Sequence, residues 1–182
     1  MSDIADRYRR LSSEFAEKVD AVPADRWDGP SPCDEWTTRE LVRHVVDTQG
    51  LFLGFVGREL GDIPSVDDDP SGAWQAASAV IQADLDDPER AGAEYEGFSG
   101  PTRWDEGVDG FLNFDLVVHG WDLARAAGVD ETIDPGDARR ALARAEELGD
   151  MLRSSGSAGP ALDPPPDADD QTRMLAFMGR KA

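Results

Sequence analysis

Apolar side chains recur every three to four positions along most of this chain, the period of a helix with one buried face. From about Ser2 to Ala21 the stripe is Ile4, Tyr8, Leu11, Phe15 and Val19, with Pro23 just beyond it. A loop follows, marked by Pro30, Pro32 and Cys33. The second helix has a capping-box start in Thr37-Thr38-Arg39-Glu40, with Trp36 and Leu41 placed as a hydrophobic staple. It is expected to run to about Leu60, where Gly61 can end it. Asp67-Asp68-Asp69-Pro70 breaks the chain and caps a third helix carrying Trp74, Ala77, Ile81 and Leu85.

Asp87-Pro88 interrupts that pattern, and the Gly- and Pro-rich residues 95–103 read as loop. A fourth helix is expected from about Trp104 to Ala127, stopped by Gly128. A fifth opens at Asp134-Pro135 and extends to about Arg153. Residues 154–168, with Gly156, Gly159 and Pro164-Pro165-Pro166, form a loop before a short helix over 169–178. No strand-like alternation of any length and no 20–50-residue repeat is visible. The pattern predicts an all-α single domain over 1–182.

Two of these apolar stripes carry polar residues. In the second helix the inner face reads Leu41, His44, Val45, Thr48, Leu51, Phe52 and Phe55. In the fourth it reads Val108, Leu112, Asp115, Leu116, His119, Leu123 and Ala126. His44 and His119 are the chain's two histidines. Asp115 and His119 stand four residues apart, on one helix face. Each histidine also has an aspartate three residues later, Asp47 and Asp122.

An unpartnered carboxylate on a buried face costs several kcal/mol. Asp115 therefore needs an arginine such as Arg43 or Arg125, a shared metal, or a different helix phase. Two imidazoles and a carboxylate on facing helices suit a divalent ion: zinc by default, with nickel and iron tolerating the same set. Asp47 and Asp122 are candidates to support the ligands from behind, and equally candidates for solvated or Arg-paired acids. Cys33 reads as a small buried loop residue; the alternative is a metal or thiol-chemistry role, since it lies four residues before the cap of the next helix, whose dipole lowers a thiol's pKa. Trp104 and Trp121 read as core aromatics.

Charge narrows the partners. Lys and Arg total 18 against 38 Asp and Glu, a formal charge of -20. Such a surface repels nucleic acid and anionic lipid. No segment reaches the ~20 apolar residues of a membrane span, and the charged N-terminus has no signal-like apolar core. With a single cysteine, a cytoplasmic location is expected. No phosphate-cradling loop, serine-nucleophile motif or dinucleotide fingerprint is present.

The segment Ser31-Pro32-Cys33-Asp34-Glu35-Trp36 through Leu41-Val42-Arg43-His44 resembles the start of the mycothiol-dependent maleylpyruvate isomerase N-terminal domain. Asp115-Leu116-Val117-Val118-His119-Gly120-Trp121-Asp122 through Gly128 is similar to its second signature. The ending, Asp169 to Arg180, resembles small single-domain relatives. The resemblance implies the DinB-like fold, a four-helix bundle with a divalent metal on three residues, here His44, Asp115 and His119. It also implies a low-molecular-weight thiol such as mycothiol, bacillithiol or glutathione, whose sulfur the metal would hold as thiolate for attack on a small electrophile. Two departures stand out. The isomerase has Glu where this chain has Asp115, and it has a second, C-terminal domain for which 182 residues leave no room. They weigh against maleylpyruvate isomerisation and leave thiol transfer open.

The leading expectation is a metal-dependent thiol transferase or isomerase acting on a small molecule. Metal-dependent hydrolysis by a metal-activated water and a non-enzymatic, metal-stabilised binding bundle are the alternatives. A homodimer through helix faces is a further possibility of the pattern.

Overall fold

The all-α expectation holds. The computed structural model describes residues 3–33, 36–97, 100–154 and 157–181. The expected helix start at Ser2 and the loop residue Gly156 lie outside them. The chain divides into two compact units, Met1–Asp130 and Glu131–Ala182.

In the first unit, α1 (Asp3–Asp20), α2 (Thr38–Gly54), α3 (Pro70–Asp86) and α6 (Asn113–Ala127) form a bundle. α1 packs on α3 and α6, and α2 packs on the same two helices. The stripes read from the pattern supply the core: Tyr8, Leu11, Phe15 and Val19 of α1 are buried, as are Trp74, Ala77, Ile81 and Leu85 of α3. Burying side chains of this size contributes about 1.5–3 kcal/mol each. The edge of one ring of the Phe15–Trp74 pair meets the other at 4.8 Å between centroids. The Trp74 indole N–H donates to the Ser12 carbonyl. Tyr8 donates to Gln49 at 2.7 Å, and Gln49 donates in turn to the Val45 carbonyl, so this buried polar pair is satisfied.

Helix ends follow local chemistry. Thr37 accepts from the Glu40 backbone N–H while the Glu40 carboxylate accepts from that of Thr37, closing the capping box. α2 stops earlier than Leu60. Gly57 adopts φ 68° and the Arg58 N–H bonds back to the Leu53 carbonyl, a left-handed stop that Gly61 was expected to provide. Asp69 caps α3 with Pro70 at its first position. Asp87 then caps the one-turn α4 (Pro88–Ala91).

The 95–103 segment departs from the loop reading. β1 (Glu94–Gly97) and β2 (Gly100–Arg103) pair antiparallel, Glu94 opposite Arg103 and Tyr95 opposite Thr102. Two four-residue strands are too short to show a period of two, yet opposite charges and β-favouring side chains face each other across them. The hairpin leads into a helical run of three parts: α5 (Trp104–Gly107), a wide π-type stretch over Val108–Leu112, and α6. The Trp104 indole is buried and donates to the Phe52 carbonyl, tying this run to α2. Gly128, at φ 75°, ends α6.

In the second unit, α7 (Pro135–Leu148) packs against α9 (Asp170–Phe177). The expected fifth helix is divided. Gly149, with φ 51°, breaks it before α8 (Asp150–Ser154). Among the described residues, no helix is long and apolar enough to cross a membrane.

Candidate metal centre

α6 places Asp115, His119 and Asp122 at i, i+4 and i+7, one face of one helix. α2 presents His44 across from them. Nε2 of His119 lies 3.3 Å from Asp115 Oδ1, and Nε2 of His44 lies 3.8 Å from the same oxygen. The three donor atoms are all within 4.8 Å of one another. The His44 and His119 rings meet edge-on with centroids 5.1 Å apart.

The π-type stretch stands one turn before Asp115. The Asn113 N–H reaches the Val108 carbonyl, so one turn holds an extra residue. Such wide turns recur at functional sites because they re-aim the side chains beyond them. Asp109 within it pairs with Arg7 of α1 and accepts from Asn113 at 2.9 Å. These contacts hold the irregular turn against α1.

His119 is buried and His44 is partly open, its side chain 36 % exposed. Trp36 lies beside both imidazoles, its ring 4.7 Å from His44 and 6.1 Å from His119. The residue expected as a helix staple therefore also forms a wall of the site. Behind His119, Nδ1 meets Asp122 Oδ2 at 3.0 Å. Asp122 is fully buried.

Burial disfavours the charge on Asp115, but the neighbouring His119 outweighs it through its charge and hydrogen bond. His44 adds to the effect, and the carboxyl is held well below its ordinary range. Burial likewise acts against a charged His119. Asp115, then Asp122 and Cys33, outweigh it and raise its pKa well above 6.5. The two groups form a strongly coupled, opposite-charge pair.

Among the described residues three buried side-chain oxygens have no hydrogen-bond partner, Gln82 Oε1, Asn113 Oδ1 and Asp115 Oδ2, and only the last belongs to a carboxylate. A divalent ion would supply what that carboxylate lacks. The separations also suit one, since ligands about 2.1 Å from a tetrahedral ion stand roughly 3.4 Å apart. Nitrogen and oxygen donors of this kind suit zinc, nickel or iron. Two imidazoles and one carboxylate from facing helices therefore fit a metal.

The other candidates fall elsewhere. Asp47 is on the exposed face of α2, away from the His44–Asp115–His119 cluster. Arg43 pairs with Asp67, and Arg125 lies over the Trp121 ring at 4.2 Å. Trp104 and Trp121 are buried. Cys33, expected as a small buried loop residue, is half-buried and reaches across to α6. Its Sγ lies 3.2 Å from Asp122 Oδ2 and 3.7 Å from His119 Nδ1. With those two groups it forms a second three-donor cluster on the other side of the same imidazole. The only hint in the sequence was its position shortly before the α2 cap.

The family model of the mycothiol maleylpyruvate isomerase N-terminal domain matches residues 8–124, a span that holds every residue of both clusters. Two Mycobacterium tuberculosis proteins, uncharacterized protein MT0763 of strain CDC 1551 / Oshkosh and uncharacterized protein Rv0738 of strain H37Rv, are each 30 % identical over 175 residues. The match covers 95 % of this chain and 95 % of theirs. Among solved structures, a histidine-to-alanine mutant of the mycothiol-dependent maleylpyruvate isomerase superposes with a TM-score of 0.56. It shares 15 % identity over 88 % of this chain and 73 % of its own, a likeness of fold.

Proposed function

This chain belongs to the mycothiol maleylpyruvate isomerase N-terminal domain family, and we propose that it is a metal-dependent transferase or isomerase that uses a mycothiol-type thiol on a small electrophilic substrate. The observation that carries this reading is Asp115. One of its oxygens stands between two imidazole nitrogens, and the other is buried without a partner. His44, Asp115 and His119 would hold a divalent ion, zinc being the default for this donor set. When bound, the ion supplies the Lewis acidity that keeps a nearby thiol ionised at neutral pH.

The chain's own groups prepare that chemistry. Asp122 accepts the Nδ1 proton of His119, so Nε2, on giving up its own proton, would offer its lone pair to the ion. Asp115 contributes negative charge that offsets a cation. Trp36 screens one side of the imidazoles from water, and the exposure of His44 leaves an approach for thiol and substrate. Asp115 is one methylene shorter than the glutamate expected in the isomerase, so the carboxylate must be delivered by backbone placement. The wide turn over Val108–Leu112 is suited to that task.

Metal analysis followed by a mycothiol titration tests the proposal. The purified protein, loaded with zinc, nickel or ferrous iron, should retain one ion per chain, and His119→Ala should retain none. Mycothiol should raise the melting temperature of the loaded protein only. Failure to retain any of the three ions, or retention undiminished in His119→Ala, overturns the metal reading. Turnover of esters or amides without any thiol would replace it by hydrolysis.

A further inference from the structure

Among the described residues, only the two histidines make polar contact with the Asp115 side chain: Oδ1 stands between their nitrogens, and Oδ2 is buried without a partner. A carboxylate that binds a metal is ordinarily steadied by a further hydrogen bond. Here its place is set by the backbone that carries it, the first turn of α6 directly after the wide stretch.

That backbone is anchored from another helix. One oxygen, Asp109 Oδ1, accepts both from Arg7 Nη1 of α1 and from Asn113 Nδ2, the latter at 2.9 Å. Asp109 lies inside the wide turn. Asn113 closes it, its backbone N–H reaching the Val108 carbonyl. Asn113 is buried, and among the described residues its side chain has no hydrogen bond besides the one to Asp109. It precedes Asp115 by two residues, about 3 Å along the axis. Partly exposed ion pairs add little to stability. What this one supplies is a fixed point, which ties an irregular turn to α1 just before a metal-donor residue.

We propose, on the footing of the metal centre described above, that Asp109, held by Arg7, is a positioning residue for that centre and sets the separation of the Asp115 carboxylate from His44. The spacing of Asp115 from His119 is local, four residues on one helix, and survives changes in the turn. The spacing from His44 is not local, because His44 stands on α2. It depends on how α6 is seated. Gly120, in the middle of α6, faces Phe15 and Lys18 of α1. The Arg7–Asp109–Asn113 link seats its start.

The test measures zinc affinity by chelator competition and the visible spectrum of the cobalt-substituted full chain, with the melting temperature alongside. Asp109→Ala and Arg7→Gln should each weaken zinc by about tenfold, the lower end of what groups supporting a ligand contribute. Both should also weaken and shift the cobalt d–d bands, which report the geometry around the ion. Asp109→Asn keeps an acceptor oxygen for Arg7 and Asn113 and should retain the wild-type bands. The double variant Arg7→Gln/Asp109→Ala should bind zinc no more weakly than Asp109→Ala, as expected of residues that act through one link. Arg9→Gln, which breaks the ion pair of α1 with Asp86 of α3, should lower the melting temperature and leave the bands unchanged. Arg7→Gln decides the matter if Asp109→Ala does not fold. Wild-type affinity and bands in either variant, a loss in Asp109→Asn equal to that in Asp109→Ala, or multiplied losses in the double variant overturn the proposal and leave the metal centre standing. A wild type that retains no ion overturns both.

Discussion

Asp122 Oδ2 accepts from His119 Nδ1 at 3.0 Å, and this contact fixes which nitrogen of the ring faces Asp115. An ionised carboxylate can only accept, so Nδ1 carries a proton and Nε2 is the nitrogen that would give up its own to a metal. Asp122→Asn removes that constraint, because an amide can donate as well as accept. Zinc affinity, measured by competition with a chromophoric chelator, should fall by about tenfold to a hundredfold. An unchanged affinity would mean that the ring is positioned by something else.

The Asp115–His119 pair makes the stability of the metal-free protein depend on pH. The raised His119 contributes stability that is fully present below about pH 6.5 and is lost as pH climbs through its folded value. The lowered Asp115 contributes stability present above about pH 3.8 and lost as pH falls through its own. Between those limits both contributions stand. Urea unfolding of wild type and His119→Gln should therefore differ more at about pH 5 than at about pH 9. A gap that does not narrow at the higher pH contradicts the pairing.

Cys33 touches the far nitrogen of His119, not the side facing Asp115 and His44. The cobalt-substituted protein should then show no sulfur-to-cobalt charge-transfer band by itself. The band should arise on adding an external thiol, and equally in Cys33→Ser. A band in the thiol-free wild type that vanishes in Cys33→Ser would place the ion in the Cys33–His119–Asp122 cluster instead.

Thr37→Ala removes one half of the α2 capping box. It should destabilise the protein by about 1 kcal/mol in urea or thermal unfolding. Because Trp36 and His44 flank that cap, the variant should also weaken metal retention modestly. Full stability would show that tertiary packing alone fixes the start of α2.

What could be read from the residues alone was what is local. The α1 and α3 stripes, the Thr37–Glu40 box, the Asp69-Pro70 start and the Gly128 stop each lie within a few residues and carry their own period or cap. Asp115 and His119 were legible for the same reason: four residues separate them. His44 could be placed on an inner face, but its approach to Asp115 depends on how α2 and α6 pack. The Cys33 contact spans 86 residues to His119 and has no local signal. The Glu94–Arg103 hairpin is too short for its alternation to register. The wide turn at Val108–Leu112 leaves no mark in the apolar spacing: Val108, Leu112 and Leu116 recur every four residues, as on one face of a regular helix, and all three are buried.

That turn makes the site sensitive to length rather than to spelling. One surplus residue rotates everything downstream by about 100° relative to the helix before it. Most replacements within 108–112 would preserve this offset, whereas removing one residue would close the turn and swing Asp115, His119 and Asp122 together off the face that meets His44. Descendants of this chain that keep its two buried side chains and its acid can therefore vary the other letters there, but they cannot lose one.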